Sequence, residues 1–413
     1  MKTIRLGDYI DLLTDYHSGG SYETLKNNTK ILHKPDYGVY VRTLNFERND
    51  FEKDLVYCDK SSYDFLEYSH LKENDVLMNK IANPGSVYLM PKVNYPATCA
   101  MNLFLIRFKD ISQKYMYYVM KNNEAYIKKQ AHGTTTKTIT KEEVRNLVFE
   151  IHETAEERDK VEKILSDLDK KIQLNEKINN NLQAQINSIY DYWFTQFDFP
   201  NENNQAYRSS GGKMVWNDIL KQNIPENWSV KCVLDILSWQ SNSQPPKSMF
   251  IYEQKDGYIR FIQNRDYDSD EYKTYIPKSK SLTLCNSRDI LIDKYGDAGR
   301  VRYGLDGAFN VALAKLNLHD TLFLEYVRCY FESAPIYNYL HSSCMASTRA
   351  SLNESNIGNL YIVIPPQDIL NKFNSIINPI RDKILMSKDE NRKCISIRNW
   401  LLPMLMNGQA TIE

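Results

Sequence analysis

The sequence predicts a duplicated α/β (α+β) fold, in which two globular units of mixed strands and helices each lead into a long helix. Three observations predict it. First, over residues 153–197 the apolar residues Val161, Leu165, Leu168, Ile172, Leu182, Ile186, Ile189 and Trp193 fall on alternating steps of four and three, the period of a coiled-coil seam. Asn175 and Asn179 fill the seam positions between the two apolar runs. Residues 153–190 as one helix would measure about 57 Å, more than a compact core requires. Second, the seam recurs 212 residues later as Ile380, Ile384, Ser387, Asn391, Cys394, Arg398, Leu401 and Leu405, with Asn391 on Asn179. Third, the segments ahead of each helix repeat in order, at offsets that drift as small loop insertions would make them.

Taken along the chain, IRLGDYIDLL opens as a short amphipathic segment. Residues 37–46 and 74–81 are β-rich runs bounded by turn formers, and Asn83-Pro84-Gly85 turns into a further run, VYLMP. Residues 114–130 have helical spacing. A Thr-rich loop follows, then a helical turn that Thr140 and Glu143 can close as a capping box, then a buried strand. After the long helix, an aromatic cluster (DYWFTQFDFP) leads into residues 201–213, which are poor in apolar residues and read as a flexible linker. The second unit retraces the first: Asp235 falls on Asp8, Arg260 on Arg42, Asp289 on Asp75, Lys294 on Lys80 and Gly299 on Gly85. MASTRASLNESNIGNLYIVI matches HGTTTKTITKEEVRNLVFEI without a gap. The boundaries are 1–151 for the first globular unit, 152–197 for the first helix, 198–227 for the linker, 228–364 for the second unit, 365–408 for the second helix and 409–413 for a tail.

A chain of 413 residues suits two domains with helical connectors. Lys plus Arg and Asp plus Glu number 52 each, so a nucleic-acid partner would have to be met by locally segregated charge. The seven cysteines are scattered without CxxC spacing, which disfavours a zinc site or disulfide framework and fits a cytoplasmic location. No apolar run approaches a membrane span.

The Thr-rich loops carry the clearest chemistry. Residues 125–141 contain no acid but hold Lys128, Lys129, Lys137, Lys141, Thr134, Thr135, Thr136 and Thr138. Residues 333–353 again lack an acid and place Arg349 beside Ser347 and Thr348. Hydroxyls and amides next to a cation suit phosphate oxygens. The plain alternative is a solvated loop, which recurrence in both copies weakens. Arg42 with Asn45, and Arg260 with Gln263 and Asn264, follow β runs and offer the side chains that read guanine and adenine edges. The alternative is a structural arginine held by Asp8 or Asp235. Lys80, Lys294, Arg300 and Arg302 flank the repeated turn as candidate backbone contacts. In the helices, Leu168, Ile172, Asn175, Asn179, Leu182, Ile380, Ile384, Asn391, Cys394 and Leu401 are candidates for pairing, the asparagines fixing register. No catalytic constellation or metal site emerges. The histidines lack HxxxH spacing, a P-loop fails at Gly212-Lys213, and no amide-Pro-Pro-aromatic motif occurs.

The alternation of duplicated α/β unit and seam helix resembles the specificity subunit of type I restriction-modification systems. The likeness rests on ILSDLDKKIQLNEKINNNLQAQINSIYDYWF, on the linker FPNENNQAYRSSGGKMVWNDILKQNIPENWSV, and on IPENW before the second repeat. The resemblance implies two target recognition domains and two long antiparallel spacer helices related by a pseudo-two-fold. Each domain would read one half of a split double-stranded DNA target. The helices would dock two methyltransferase subunits, and motor-nuclease subunits would complete the complex. It also implies no chemistry in this chain, with S-adenosylmethionine, ATP and Mg bound by partner subunits. This second helix departs from the first where Arg398 replaces Ile186 and Pro403 enters the last turn. Two other readings are a helical scaffold that reads no DNA, and a nuclease or methyltransferase with cryptic motifs.

Overall fold

A computed structural model describes residues 1–133, 136–270, 272–345 and 351–410. It divides into two compact units, Met1–Lys170 with Ile397–Glu413, and Lys171–Ser396.

In the first unit, four strands lie in the order Ile10–Asp15, Leu103–Phe108, Val76–Asn79 and Val87–Leu89, all antiparallel. The central strands Val76–Asn79 and Leu103–Phe108 are buried almost throughout. Their alternate residues enter two different cores, so Val76–Met78 and Leu103–Ile106 are apolar without alternation, the second run ending at Arg107. Tyr115, Met116 and Val119, spaced three and four along helix Gln113–Asn122, cover one face. A second sheet orders Val56–Cys58, Gly38–Val41 and Ala97–Cys99, the last pair parallel. Lys2–Arg5 pairs antiparallel with Val148–Ile151, so the chain start and the strand before the long helix close together.

The second unit repeats this plan. Leu237–Ser241, Leu313–Leu318, Ile290–Asp293 and Val301–Arg302 form the antiparallel sheet. Tyr275–Pro277, Tyr258–Ile262, Gly307–Phe309 and Leu284–Cys285 form the other, and it too contains one parallel pair. Ser229–Cys232 pairs with Tyr361–Ile364. Hydrogen bonds repeat singly as well: Leu6 N donates to the Leu147 carbonyl at 2.8 Å, and Val233 N to that of Leu360 at 2.9 Å. The duplication read from the sequence is therefore a duplication of topology and register.

The long helices are Ala155–Tyr190 and Gln367–Met406, of 36 and 40 residues. Within the first unit, Val161 and Leu165 share a core with Leu405 and Met406, and Asp169 accepts from Arg398 Nη1 at 2.8 Å and Tyr118 Oη at 2.6 Å. Arg398 thus answers an acid across the pair, and its departure from Ile186 is no break in the seam. The helix also runs past Pro403, whose neighbours Leu401, Leu402, Leu405 and Met406 pack on the core.

Within the second unit, Asn175 Nδ2 donates to Asn391 Oδ1 and to Glu390 Oε2, each at 2.8 Å, and Asn391 Nδ2 donates to the Ile172 carbonyl at 3.2 Å. Further along, Gln183 Oε1 accepts from Arg381 Nη1 at 2.9 Å. The rising number on one helix against the falling number on the other makes the pair antiparallel. Ile172 and Ile384 are buried in it, with Leu182 and Ile380 half-buried on the core. Leu168, Cys394 and Leu401 are half-buried on their own stretches of helix.

Here the helix pair meets helix Leu324–Glu332 through buried charge. Glu325, Arg328 and Arg381 are 1%, 0% and 0% exposed. Glu325 accepts from Arg381 Nε at 2.9 Å and Arg328 Nε at 3.2 Å, and both guanidiniums lie on the Tyr303 ring. Removing one member of such a network leaves an uncompensated buried charge, at about 3–5 kcal/mol.

Three local expectations change, and the opening segment takes a definite form. Residues 37–46 are half strand: Gly38–Val41 ends at Arg42, which opens helix Thr43–Glu47, because Asn45 Oδ1 accepts from the Arg42 amide at 2.9 Å. Residues 114–130 form two helices, Gln113–Asn122 and Glu124–Lys129, parted at Asn123. Residues 201–213 fold back instead of running free. Tyr207 stacks on Phe199 with centroids 4.6 Å apart, and Asp198 accepts from the Ser209 amide at 2.7 Å. The hairpin Met214–Asn217/Gln222–Pro225 follows. The opening segment is a strand, a 3-10 turn at Leu6–Tyr9 and a second strand.

Candidate nucleic-acid interface

Each unit carries the same turn at the end of its innermost sheet strand. Asn79 N donates to Ser86 O at 2.9 Å and Gly85 N to Asn79 O at 2.8 Å; Asp293 N donates to Arg300 O and Gly299 N to Asp293 O, both at 2.9 Å. Gly85 and Gly299 have φ of 91° and 95°, which L side chains adopt at a cost. A Cβ there would also come within 2.9 Å of Ile127 and 3.0 Å of Leu340. The glycine is therefore demanded twice, by conformation and by close approach.

The Thr-rich loop closes over this turn. Ile139 N donates to the Lys80 carbonyl at 3.1 Å and Ala82 N to that of Lys137 at 3.1 Å. In the second unit Leu352 N donates to the Lys294 carbonyl at 2.9 Å. The loop returns through His132 and Thr138, whose amides and carbonyls bond reciprocally. The Thr140–Glu143 capping box forms, with Asn353–Asn356 at the matching place. Two motifs singled out separately in the sequence, turn and hydroxyl loop, are thus neighbours in the first unit, and in the second Leu352 holds the place of Ile139 at the matching strand end.

Thr136 and Lys137 are exposed, and Lys137 makes no ion pair among the described residues. Thr134, Thr135, Ser347, Thr348 and Arg349 lie outside the described residues. Arg300 is exposed beside Asp297 at 3.1 Å. Lys294 is half-buried, without an ion pair among the described residues, its Nζ 6.0 Å from the Tyr295 ring. Lys80 differs. Its Nζ is buried against Asp15 and lies 3.1 Å from His17 Nδ1, while Lys141 Nζ reaches the other Asp15 oxygen at 2.9 Å. Burial pushes the Asp15 carboxyl up, but hydrogen bonds from Lys80, Lys141 and Ser18 overcome it and hold the group at about 2. Burial, then the Lys80 charge, lower the His17 pKa. This cluster escaped the sequence reading, since its members are scattered over residues 15–141 and follow no spacing rule.

The two arginines are occupied by their own loops. Arg42 Nη2 donates to the Asp54 carbonyl, not to Asp8, and Asn45 Nδ2 to that of Asp50 at 3.0 Å. With Leu44, Arg48, Asp50, Lys53 and Asp54 they line a small recess. Arg260 pairs with Asp270 and, at 3.8 Å, with Asp266. The alternative of a structural arginine is the one this geometry favours, with Asp270 in the place expected of Asp235. By strand and cap, Gln263 and not Arg260 stands where Arg42 stands, its amide donating to Asp266 as that of Arg42 does to Asn45. Gln263 Nε2 donates to Thr274 Oγ1 at 3.1 Å, and Asn264 Oδ1 is buried without a partner among the described residues. No three His, Cys, Asp or Glu among the described residues are placed to hold a metal ion, and no described helix is long and apolar enough to cross a membrane.

The type I restriction modification DNA specificity domain matches residues 1–184 and 225–392, once over each copy of the repeat. The chain belongs to this family. It is 26% identical over 390 residues to the type I restriction enzyme MjaIX specificity subunit of Methanocaldococcus jannaschii, covering 91% of this chain and 84% of that protein. It is 21% identical to the HindI specificity subunit of Haemophilus influenzae, covering 90% and 94%. Its fold matches the crystal structure of a type I restriction-modification S subunit from M. genitalium with a TM-score of 0.57, at 14% identity, over 98% and 96% of the two chains.

Proposed function

We propose that this chain is the DNA-reading subunit of a type I restriction-modification complex, each globular unit reading one half of a split target. The observation that carries the reading is the twofold occurrence of the same device. In the first unit the loop bearing Thr136 and Lys137 is hydrogen-bonded over a glycine turn, and in the second Leu352, just after the matching segment, bonds at the same strand end beside the matching glycine turn. Thr136, Lys137, Lys294 and Arg300, with Thr134, Thr135, Ser347, Thr348 and Arg349, are the phosphate-contacting set. Such contacts position a protein on the duplex, while a few base-edge contacts specify sequence. Residues 1–151 and 228–364 are the two recognition domains.

The paired helices set the distance between half-sites and dock two methyltransferase subunits, to which motor-nuclease subunits add. At 1.5 Å per residue the helices measure about 54 Å and about 60 Å, enough to bridge readers about one duplex turn, roughly 34 Å, apart. Chemistry belongs to the partners: S-adenosylmethionine, ATP and Mg bind there, and this chain is non-catalytic and cytoplasmic. A formal net charge of zero is compatible with DNA binding when the partners share its neutralisation. Footprinting of the chain assembled with its methyltransferase tests the reading. Two protected half-sites around an unspecified spacer are expected, and protection independent of sequence would contradict it.

A further inference from the structure

The two units are alike in topology yet differ in the charged groups around the turn lysine, Asp15 and Asn79 of the first standing against Ser241 and Asp293 of the second, and the difference falls on the proposed interface. In the first unit Asp15 and Met78 flank Phe104 across the sheet; in the second, Ser241 and Ile292 flank Ala314. Ser241 therefore stands where Asp15 stands, and Lys294 where Lys80 stands. Lys80 is committed twice over, ion-paired with the Asp15 carboxylate and held 5.4 Å from the Phe104 ring. In the second unit the acid is a serine and the ring an alanine. Lys294 makes no ion pair among the described residues and lies beside the turn of residues 295–299, at the strand end where its carbonyl accepts from Leu352 N. Glu354, which occupies the place of Lys141, is exposed and makes no ion pair among the described residues.

We propose that Lys294 is a DNA phosphate contact of the second unit and that Lys80, its counterpart, is not one. In the first unit the role falls to the exposed Lys137, while Lys80 and Asp15 build the floor beneath it. The inference rests on the DNA-reading function above and makes the two units unequal in their electrostatic share of binding.

The test is the salt dependence of binding by the assembled methyltransferase complex to a duplex carrying the split motif it methylates. Removing one cation that neutralises a phosphate flattens the slope of log affinity against log salt by about 0.9. Lys294→Ala is expected to flatten the slope by that amount, and Ser241→Asp to do the same by pairing Lys294. Ser241→Asp should add nothing in the Lys294→Ala background. Asp15→Ser is expected to steepen the slope by freeing Lys80, and Lys80→Ala to leave it unchanged. The Lys80 and Asp15 variants disturb a buried pair, so the exposed-side variants at 294 and 241 decide the matter if those fail to fold. An unchanged slope in Lys294→Ala would overturn the proposal while leaving the split footprint intact. Loss of the footprint from the unmutated complex would instead remove the reading beneath it.

Discussion

Asn179 Oδ1 and Ser387 Oγ are both buried without a hydrogen-bond partner among the described residues, and the repeat explains why they occur together. Asn175 and Asn391 bond across the pair at 2.8 Å. Shifting each by the 212-residue repeat gives Ser387 and Asn179, the same crossing with the roles exchanged. Serine is too short to span it, so one half of a symmetric latch is closed and the other open. Ser387→Asn is expected to close the second half and raise stability by about 1 kcal/mol, read as a higher urea midpoint at unchanged slope. A lower midpoint would show that the site has no room. The asparagines themselves were legible in the sequence, because polar residues interrupted a regular apolar period. The Asp15, Lys80 and Lys141 cluster was not, since nothing local distinguishes a lysine that meets an acid from one that meets solvent. The same limit hid the commitment of Arg42 and Arg260 to their own loops.

At the scale of elements, long helices and repeated strands were readable because period and repetition reinforce each other over many residues. The short strands Ala97–Cys99 and Leu284–Cys285, and the ordered turns of residues 201–213, depend on partners distant in sequence and left no pattern. The buried charge under Gln367–Met406 shows the same contrast, since Glu325 and Arg328 have the spacing of a solvated helix pair and are buried instead. Lys388 sits at the edge of this network, 4.0 Å from the Tyr303 ring. Burial first, then the Arg381 charge, push its pKa down to about 8. A folded pKa below the unfolded 10.5 favours the neutral amine. The contribution to stability is therefore full above about pH 10.5 and is lost as pH falls through 8, a difference of about 3 kcal/mol. Lys388→Met is expected to raise the unfolding midpoint at pH 7, with the gain vanishing above pH 10. A gain independent of pH would place the lysine in water. For the helices as a ruler, deletion of seven residues at matched places in both shortens each by roughly 10 Å. The preferred spacer should contract by about three base pairs while both half-sites persist. An unchanged spacer would refute that role.

For the molecule as a whole, composition was uninformative: balanced charge and ordinary hydrophobic content fit many functions. Internal repetition supplied the architecture, and the meeting of turn and hydroxyl loop in the first unit, with Leu352 at the matching strand end of the second, supplied the candidate interface. On the proposed function, the base choice of each unit would rest on side chains in loops whose orientation no periodicity encodes. Modularity is the central claim, and exchange of residues 1–151 for the corresponding unit of another family member tests it most directly. The measurement is the methylated motif of cells expressing the exchanged subunit with its methyltransferase, read across the genome. The account predicts one new half-site, the other half-site and the spacer remaining as before. A change in both half-sites, or in neither, would contradict it.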